Sequence, residues 1–294
     1  MEPLSVRYRD VIMEMLKKSR GQMQVTDENV LQQGNADILP FIDRILEENL
    51  LPGSEIRGFE RLAELAEASA RGESCLLLME HYSNFDLPIF HYLLRKRGPE
   101  GARIADRLVA IAGVKLNESH PIVLAFAEAY TRIVIVPSRA LQSIKEHPSQ
   151  AAEAVADMMK GMSINRAAMK VLAEEKKAGR IVLVFPSGTR YRPWDPASKK
   201  GVREIDSYVK SFDHMMLVSI NGNIFRLSEK GEMQEDLLVK DRVVYKASPM
   251  IDPAEFREKV KEVVHFGHDR KQAIVDEIMK GLDELHAEVE KTLS

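Results

Sequence analysis

Cys75-Leu76-Leu77-Leu78-Met79 runs directly into Glu80-His81-Tyr82-Ser83-Asn84-Phe85-Asp86-Leu87-Pro88, and the rest of the chain is arranged around this junction. The apolar run reads as a buried strand, and the helical pattern from Phe85 to about Arg97 reads as the helix behind it. His81 and Asp86 are five residues apart and cannot share a face of one continuous helix at 3.6 residues per turn. They meet if His81 sits in the turn after the strand and Asp86 in the first helical turn. Ser83 or Asn84 is placed to cap that helix, Asp86 lies where the helix dipole favours a carboxylate, and Pro88 falls in the first turn, where its missing N–H costs little. Such a pair offers general-base catalysis. The carboxylate fixes one imidazole nitrogen and leaves the other to take a proton from a hydroxyl. Taken alone, the same spacing also fits a structural histidine at a strand end.

Outward from this unit the chain divides in texture. Residues 1–72 are helical in pattern, with helices expected over Leu4–Ser19, Asn35–Asn49 and Phe59–Ala70, and no strand pattern among them. From residue 73, β-rich runs recur at Cys75–Met79, Leu108–Ala112, Arg132–Pro137, Ile181–Pro186, Met216–Ile220 and Val239–Ala247. Helical stretches separate most of them: Phe85–Arg97, Pro121–Tyr130, Ala151–Gly179 and Val202–Lys210. The tail from Pro253 to Leu293 is helical, interrupted near Phe266-Gly267-His268. This alternation predicts an α/β fold: a mixed, largely parallel central sheet flanked by helices, preceded by a small helical N-terminal domain. The expected division is 1–72 and 73–294.

Composition narrows the function classes. A net charge of −3 over 294 residues argues against a general nucleic-acid binder. The single cysteine, Cys75, excludes an intrachain disulfide framework. No apolar stretch reaches the ~18–20 residues that span a bilayer. The first residues, Met1-Glu2-Pro3-Leu4, resemble neither a secretory signal nor a transit peptide. The expectation is a soluble, cytoplasmic protein that meets any lipid at a membrane surface or on a carrier; a processed protein of the plastid stroma is the other location left open.

A second landmark follows the strand Ile181–Pro186. Ser187-Gly188-Thr189-Arg190-Tyr191-Arg192-Pro193 leaves its carboxyl end, where α/β sheets hold ligands. Gly188 permits close approach of the backbone. Arg190 and Arg192 offer fork-shaped donors for a phosphate or carboxylate, and Arg139, after the strand Ile133–Val136, reaches the same edge if the strands are neighbours. A solvated basic loop is the plainer reading of the heptapeptide alone. The His–Asp pair and three arginines together describe a site that deprotonates a hydroxyl of a phosphorylated small molecule.

His81-x4-Asp86 together with Phe185-Pro186-Ser187-Gly188-Thr189-Arg190 resembles the paired motifs of the glycerolipid acyltransferase superfamily. Within it the chain is most similar to soluble, chloroplast-type glycerol-3-phosphate acyltransferases. The likeness covers roughly residues 73–225. It implies transfer of a fatty acyl group from acyl-carrier protein or coenzyme A to the 1-hydroxyl of glycerol 3-phosphate, with no metal or cofactor. By the same resemblance His81 would be the base and Asp86 its partner. Arg190 and Arg192 would hold the phosphate, Arg139 would stand at a family lysine position, and Ser187 and Gly188 would shape the substrate loop. Two departures stand out: Ala140 follows Arg139 where plant-type relatives have histidine, and no proline-containing fourth motif occurs near Leu217–Asn221. The alternatives are a lysophosphatidate acyltransferase, a thioesterase, and a non-catalytic module that binds lipid or acyl carrier.

The remaining residues receive plainer readings. His91 and His120 are expected to be structural. Met158, Met159, Met162 and Met169 are expected to pack inward, with an acyl-chain groove as the sharper idea. Arg95-Lys96-Arg97 with Arg103 and Arg107 is expected to be a solvated helix end, or else a docking patch for an acidic carrier or anionic lipid.

Overall fold

A computed structural model describes residues 2–21, 24–138, 151–227, 236–263 and 269–293. Among the described residues the strands are β1 (Glu2–Pro3), β2 (Leu31–Gln32), β3 (Glu55–Arg57), β4 (Cys75–Met79), β5 (Leu108–Gly113), β6 (Arg132–Ile135), β7 (Ile181–Val184), β8 (His214–Asn221), β9 (Phe225–Arg226), β10 (Leu237–Leu238) and β11 (Val244–Ala247). The helices are α1 (Leu4–Arg7), α2 (Arg9–Lys18), α3 (Leu39–Asn49), α4 (Phe59–Ala70), α5 (Asp86–Lys96), α6 (Pro99–Arg107), α7 (Pro121–Glu128), α8 (Ala151–Lys177), α9 (Ile205–Val209), α10 (Pro253–Val263) and α11 (Arg270–Leu293).

Eight strands form one sheet in the order β2-β6-β5-β7-β4-β8-β11-β3. The five central strands, β6 to β8 in that order, run parallel, whereas β2 and β11 pair antiparallel with β6 and β8. Strand β4 is apolar at every position because helices cover both faces. Cys75, Leu77 and Met79 enter the core beneath α5, α6 and α7, and Leu76 and Leu78 enter the core beneath α8, α9 and α11. The mixed, largely parallel sheet flanked by helices matches the expected fold class.

Three readings of the sequence need correction. Residues 1–72 are not free of strands, since β2 and β3 supply both edges of the sheet. Segments of two or three residues are too short to show a period-two pattern. The helices of this region also share a core with the sheet: Leu4, Ile12, Ile42 and Leu62 belong to the same buried cluster as Leu77 and Phe90. Secondly, Val239–Ala247 is not one strand. Only its end, β11 (Val244–Ala247), is strand; β10 lies just before it, in a separate three-stranded sheet with β1 and β9, and Asp241 interrupts the run, its carbonyl accepting from Leu51 N at 2.9 Å and its carboxylate from Asn223 N at 3.0 Å. Thirdly, α6 was not anticipated; Gly98 at φ +85° and Pro99 in the first turn start it cleanly. The expected interruption at 266–268 lies outside the described residues. No helix among those described is long and apolar enough to cross a membrane.

Candidate active site

Strands β4 and β7 are hydrogen-bonded neighbours in parallel, with Leu78 opposite Val184. Their carboxyl ends therefore deliver the two motif loops to one edge of the sheet, the position at which open α/β sheets hold ligands. The loops touch directly: Tyr191 N donates to His81 O at 2.8 Å.

His81 lies in the turn and Asp86 is the first residue of α5. The His81 Nδ1 to Asp86 Oδ2 distance is 2.9 Å. Asp86 is 2% exposed, and the turn itself supplies its other donors. Tyr82 N donates at 2.6 Å, Ser83 N at 2.9 Å and Ser83 Oγ at 2.9 Å. The carboxylate thus meets only hydrogen-bond donors, at a helix N-terminus. It accepts a hydrogen bond from Nδ1–H of the neutral imidazole, which leaves Nε2 as the free nitrogen. The Phe185 ring stacks on His81 with centroids 4.0 Å apart and an interplanar angle of 18°, which fixes the plane of the imidazole. The expected cap is corrected: Phe85 occupies the N-cap without a side-chain bond, and Ser83 instead bonds the Asp86 carboxylate and accepts from Phe85 N.

A shallow cleft opens beside the imidazole. His81, Tyr82, Pro186, Ser187 and Tyr191 line it from the two loops, with Lys199 and Met279 at its outer side. Ser187 Oγ donates to Thr189 O at 2.7 Å, so this hydroxyl holds the loop. Gly188 has φ +64°, and a Cβ there would meet Val202 only at ordinary contact distance, 3.5 Å. Its positive φ calls for glycine, and a Cβ would not be crowded by the described residues.

The arginines divide. Arg190 Nη1 donates to Asp236 Oδ2 at 2.7 Å in a nearly buried pair. Arg192 is more exposed, with Asp195 at 3.8 Å. Both flank Tyr191, whose backbone is bonded to His81, so both belong to the loop at the imidazole. Arg139 lies outside the described residues.

Behind the cleft stands a polar cluster that the sequence did not announce. Glu80, 4% exposed, accepts from Ile220 N at 2.7 Å and from Tyr82 Oη at 2.9 Å. His286 Nδ1 of α11 lies 3.0 Å from the same carboxyl group. The hydrogen bond to Glu80 raises the His286 pKa above its ordinary value of 6.5, with burial opposing. Burial and the Glu80 charge push the Tyr82 phenol well up, so it remains a donor. Met279, Asp283 and His286 are spaced at helical intervals on α11, and Asp283 pairs with Lys199 at 2.5 Å. Asp236 and His286 act through partners 46 and 206 residues away, a separation no local pattern reveals.

Other residues prove structural. His91 is buried, accepts from Arg95 Nε at 3.1 Å, and has its pKa pushed down to about 3 by burial and then by the Arg95 charge. His120 Nδ1 accepts from Ile122 N at the start of α7. The cations of the Arg95–Arg97 cluster have partners nearby, with Lys96 and Arg97 exposed at the helix end as the plainer reading expects. Arg95 forks onto Asp43 at 2.9 and 2.5 Å, Lys96 meets Glu47 at 3.0 Å, and Arg97 lies over the Phe59 ring.

Comparison with known proteins agrees with this geometry. No curated protein matches the chain. The family model described as Acyltransferase matches residues 60–217, more than half of the 294 residues, and spans both motif loops. The chain belongs to the acyltransferase family.

Proposed function

We infer that the protein transfers a fatty acyl group from a thioester to the 1-hydroxyl of glycerol 3-phosphate, giving lysophosphatidate. The observation that carries the reading is the His81–Asp86 pair at 2.9 Å, opening onto the cleft walled by the loop that bears Arg190 and Arg192. In this mechanism His81 Nε2 accepts the proton as the hydroxyl oxygen attacks the thioester carbonyl carbon. Asp86 holds the resulting imidazolium. The tetrahedral intermediate collapses with cleavage of the carbon–sulfur bond, and the imidazolium returns its proton to the departing thiolate. No covalent enzyme intermediate forms, and Ser187, bonded to its own loop, is not a nucleophile.

The acceptor's phosphate is held by Arg190 and Arg192. Asp236 keeps the Arg190 guanidinium in place, and a fork of five N–H donors can serve a carboxylate and a phosphate together. Lys199 lines the same cleft, paired with Asp283 at 2.5 Å. The donor is an acyl-carrier protein or coenzyme A thioester.

One acyl thioester supplied with glycerol 3-phosphate, with lysophosphatidate, or with neither tests this reading by product mass. Lysophosphatidate formed from the first mixture is the expected result. Phosphatidate from the second alone would reassign the acceptor, and acyl release with neither would make the protein a thioesterase.

A further inference from the structure

Helix α8 carries two apolar stripes, and one of them faces outward. Its buried residues are Gly161, Ile164, Ala168 and Leu172. On the other side Val155, Met159, Met162 and Met169 stand 45% to 65% exposed. Their spacing places them along one face of the helix. Single exposed apolar residues are ordinary, but a contiguous row marks a contact surface. This corrects the expectation that these methionines pack inward.

The same surface is locally basic. Arg166, Lys170 and Lys177 are exposed along it, with the Glu174 carboxylate at its border. The chain as a whole is net negative at −3, so this local charge runs against the overall balance.

The helix also overhangs the site edge. Asn165 bonds both backbone groups of Val136, at the carboxyl end of β6, at 2.8 and 2.9 Å. Since α8 runs antiparallel to the strand, residues 151–160, before the first buried turn, extend about 15 Å toward and past the sheet edge that carries His81. Ser163 Oγ braces the overhang by donating to Asp27 at 2.6 Å.

We propose that this outward face of α8 docks on the surface of an anionic lipid bilayer. The methionines enter the boundary between headgroups and acyl chains, and the lysines and arginine lie among the headgroup phosphates. A convex ridge of flexible methionines presents no pocket and no rigid aromatic anchor to a protein partner, whereas lipid conforms to it. The docking argument stands on this face alone. Its use to the protein rests on the acyl-transfer reading: the overhang sets the cleft edge toward the phase into which an acylated product partitions.

Sedimentation of the full chain with vesicles tests the proposal. Phosphatidylcholine vesicles are compared with vesicles that also contain phosphatidylglycerol. The wild type is expected to bind the anionic vesicles and to release in high salt. Arg166→Gln with Lys170→Gln should weaken the partition roughly 25-fold, about fivefold for each charge. Met159→Gln with Met162→Gln should weaken it about tenfold, with thermal stability unchanged in both. Failure of the wild type to bind anionic vesicles overturns the proposal, as does undiminished binding by both variants. Unchanged vesicle binding with a raised KM for carrier-linked donors would identify a carrier-protein site instead and overturn it as well. Vesicle binding by a protein that transfers no acyl group upholds docking and removes only the functional reading.

Discussion

Replacing Asp86 by Asn removes one charge and changes the chemistry of the whole turn. The wild-type carboxylate receives four donors: His81 Nδ1, Tyr82 N, Ser83 N and Ser83 Oγ. An amide has one oxygen, so one side of the new group presents N–H to N–H. If the amide oxygen keeps the two backbone donors and His81, its NH2 meets Ser83 N, and only the Ser83 hydroxyl can turn to accept. If it flips, the NH2 faces His81, which must then carry its proton on Nε2 and cease to be a base. The stability cost is one lost charge-assisted hydrogen bond with a buried mismatch, about 2–4 kcal/mol. The catalytic cost, by analogy with other His–carboxylate pairs, is about 10⁴ in rate, or ~5.4 kcal/mol. Steady-state thiol release together with a denaturation midpoint separates the two. A folded Asp86→Asn protein that works within tenfold of wild type would refute the assignment of Asp86 as the group that fixes the His81 tautomer.

Further predictions follow from the neighbouring contacts. Arg190→Ala should raise KM for glycerol 3-phosphate at least tenfold and, by breaking a nearly buried pair with Asp236, cost ~3 kcal/mol of stability; unaltered acceptor saturation would count against its phosphate role. Gly188→Ala should destabilise by about 1–2 kcal/mol through its positive φ alone, measurable as a lowered Tm without any change in the unfolding slope. The His286 pKa is raised in the folded state by Glu80. Its contribution to stability is therefore full below pH 6.5, the ordinary value, and fades as pH rises through the folded value. The Tm gap between wild type and His286→Gln should be widest in mild acid and shrink toward alkaline pH; a gap that widens with pH would reverse the sign of that linkage.

The parts of the molecule legible from sequence are those in which local pattern and burial coincide. The β4–α5 unit could be read because five apolar residues meet a turn whose polar groups satisfy one another, and β7 could be read for the same reason. The α4 bounds, Phe59–Ala70, follow directly from its periodicity and from Gly72 beyond it. Edge strands β2 and β3 escaped because two or three residues have no period, and tertiary pairing alone makes them strands. The direction of α8 was misjudged because a helix with apolar residues on two sides does not say which side is inside; Gly161, Ile164, Ala168 and Leu172 win the core by fitting closely against the sheet, and the bulkier methionines are left outside. Asp236, Glu80 and His286 were illegible for a different reason. Each is an unremarkable residue locally, and acquires meaning only from a partner brought near by the fold.

The central claim is that His81, backed by Asp86, removes the acceptor's proton. Thiol release from an acyl thioester, followed with and without glycerol 3-phosphate in the wild type and in His81→Ala, tests it most directly. The account predicts release that depends on the acceptor in the wild type and falls to background in the variant, with an unchanged Tm. Acceptor-dependent release by His81→Ala at more than about a tenth of the wild-type rate, a loss of only ~1.4 kcal/mol in transition-state stabilisation, would contradict it.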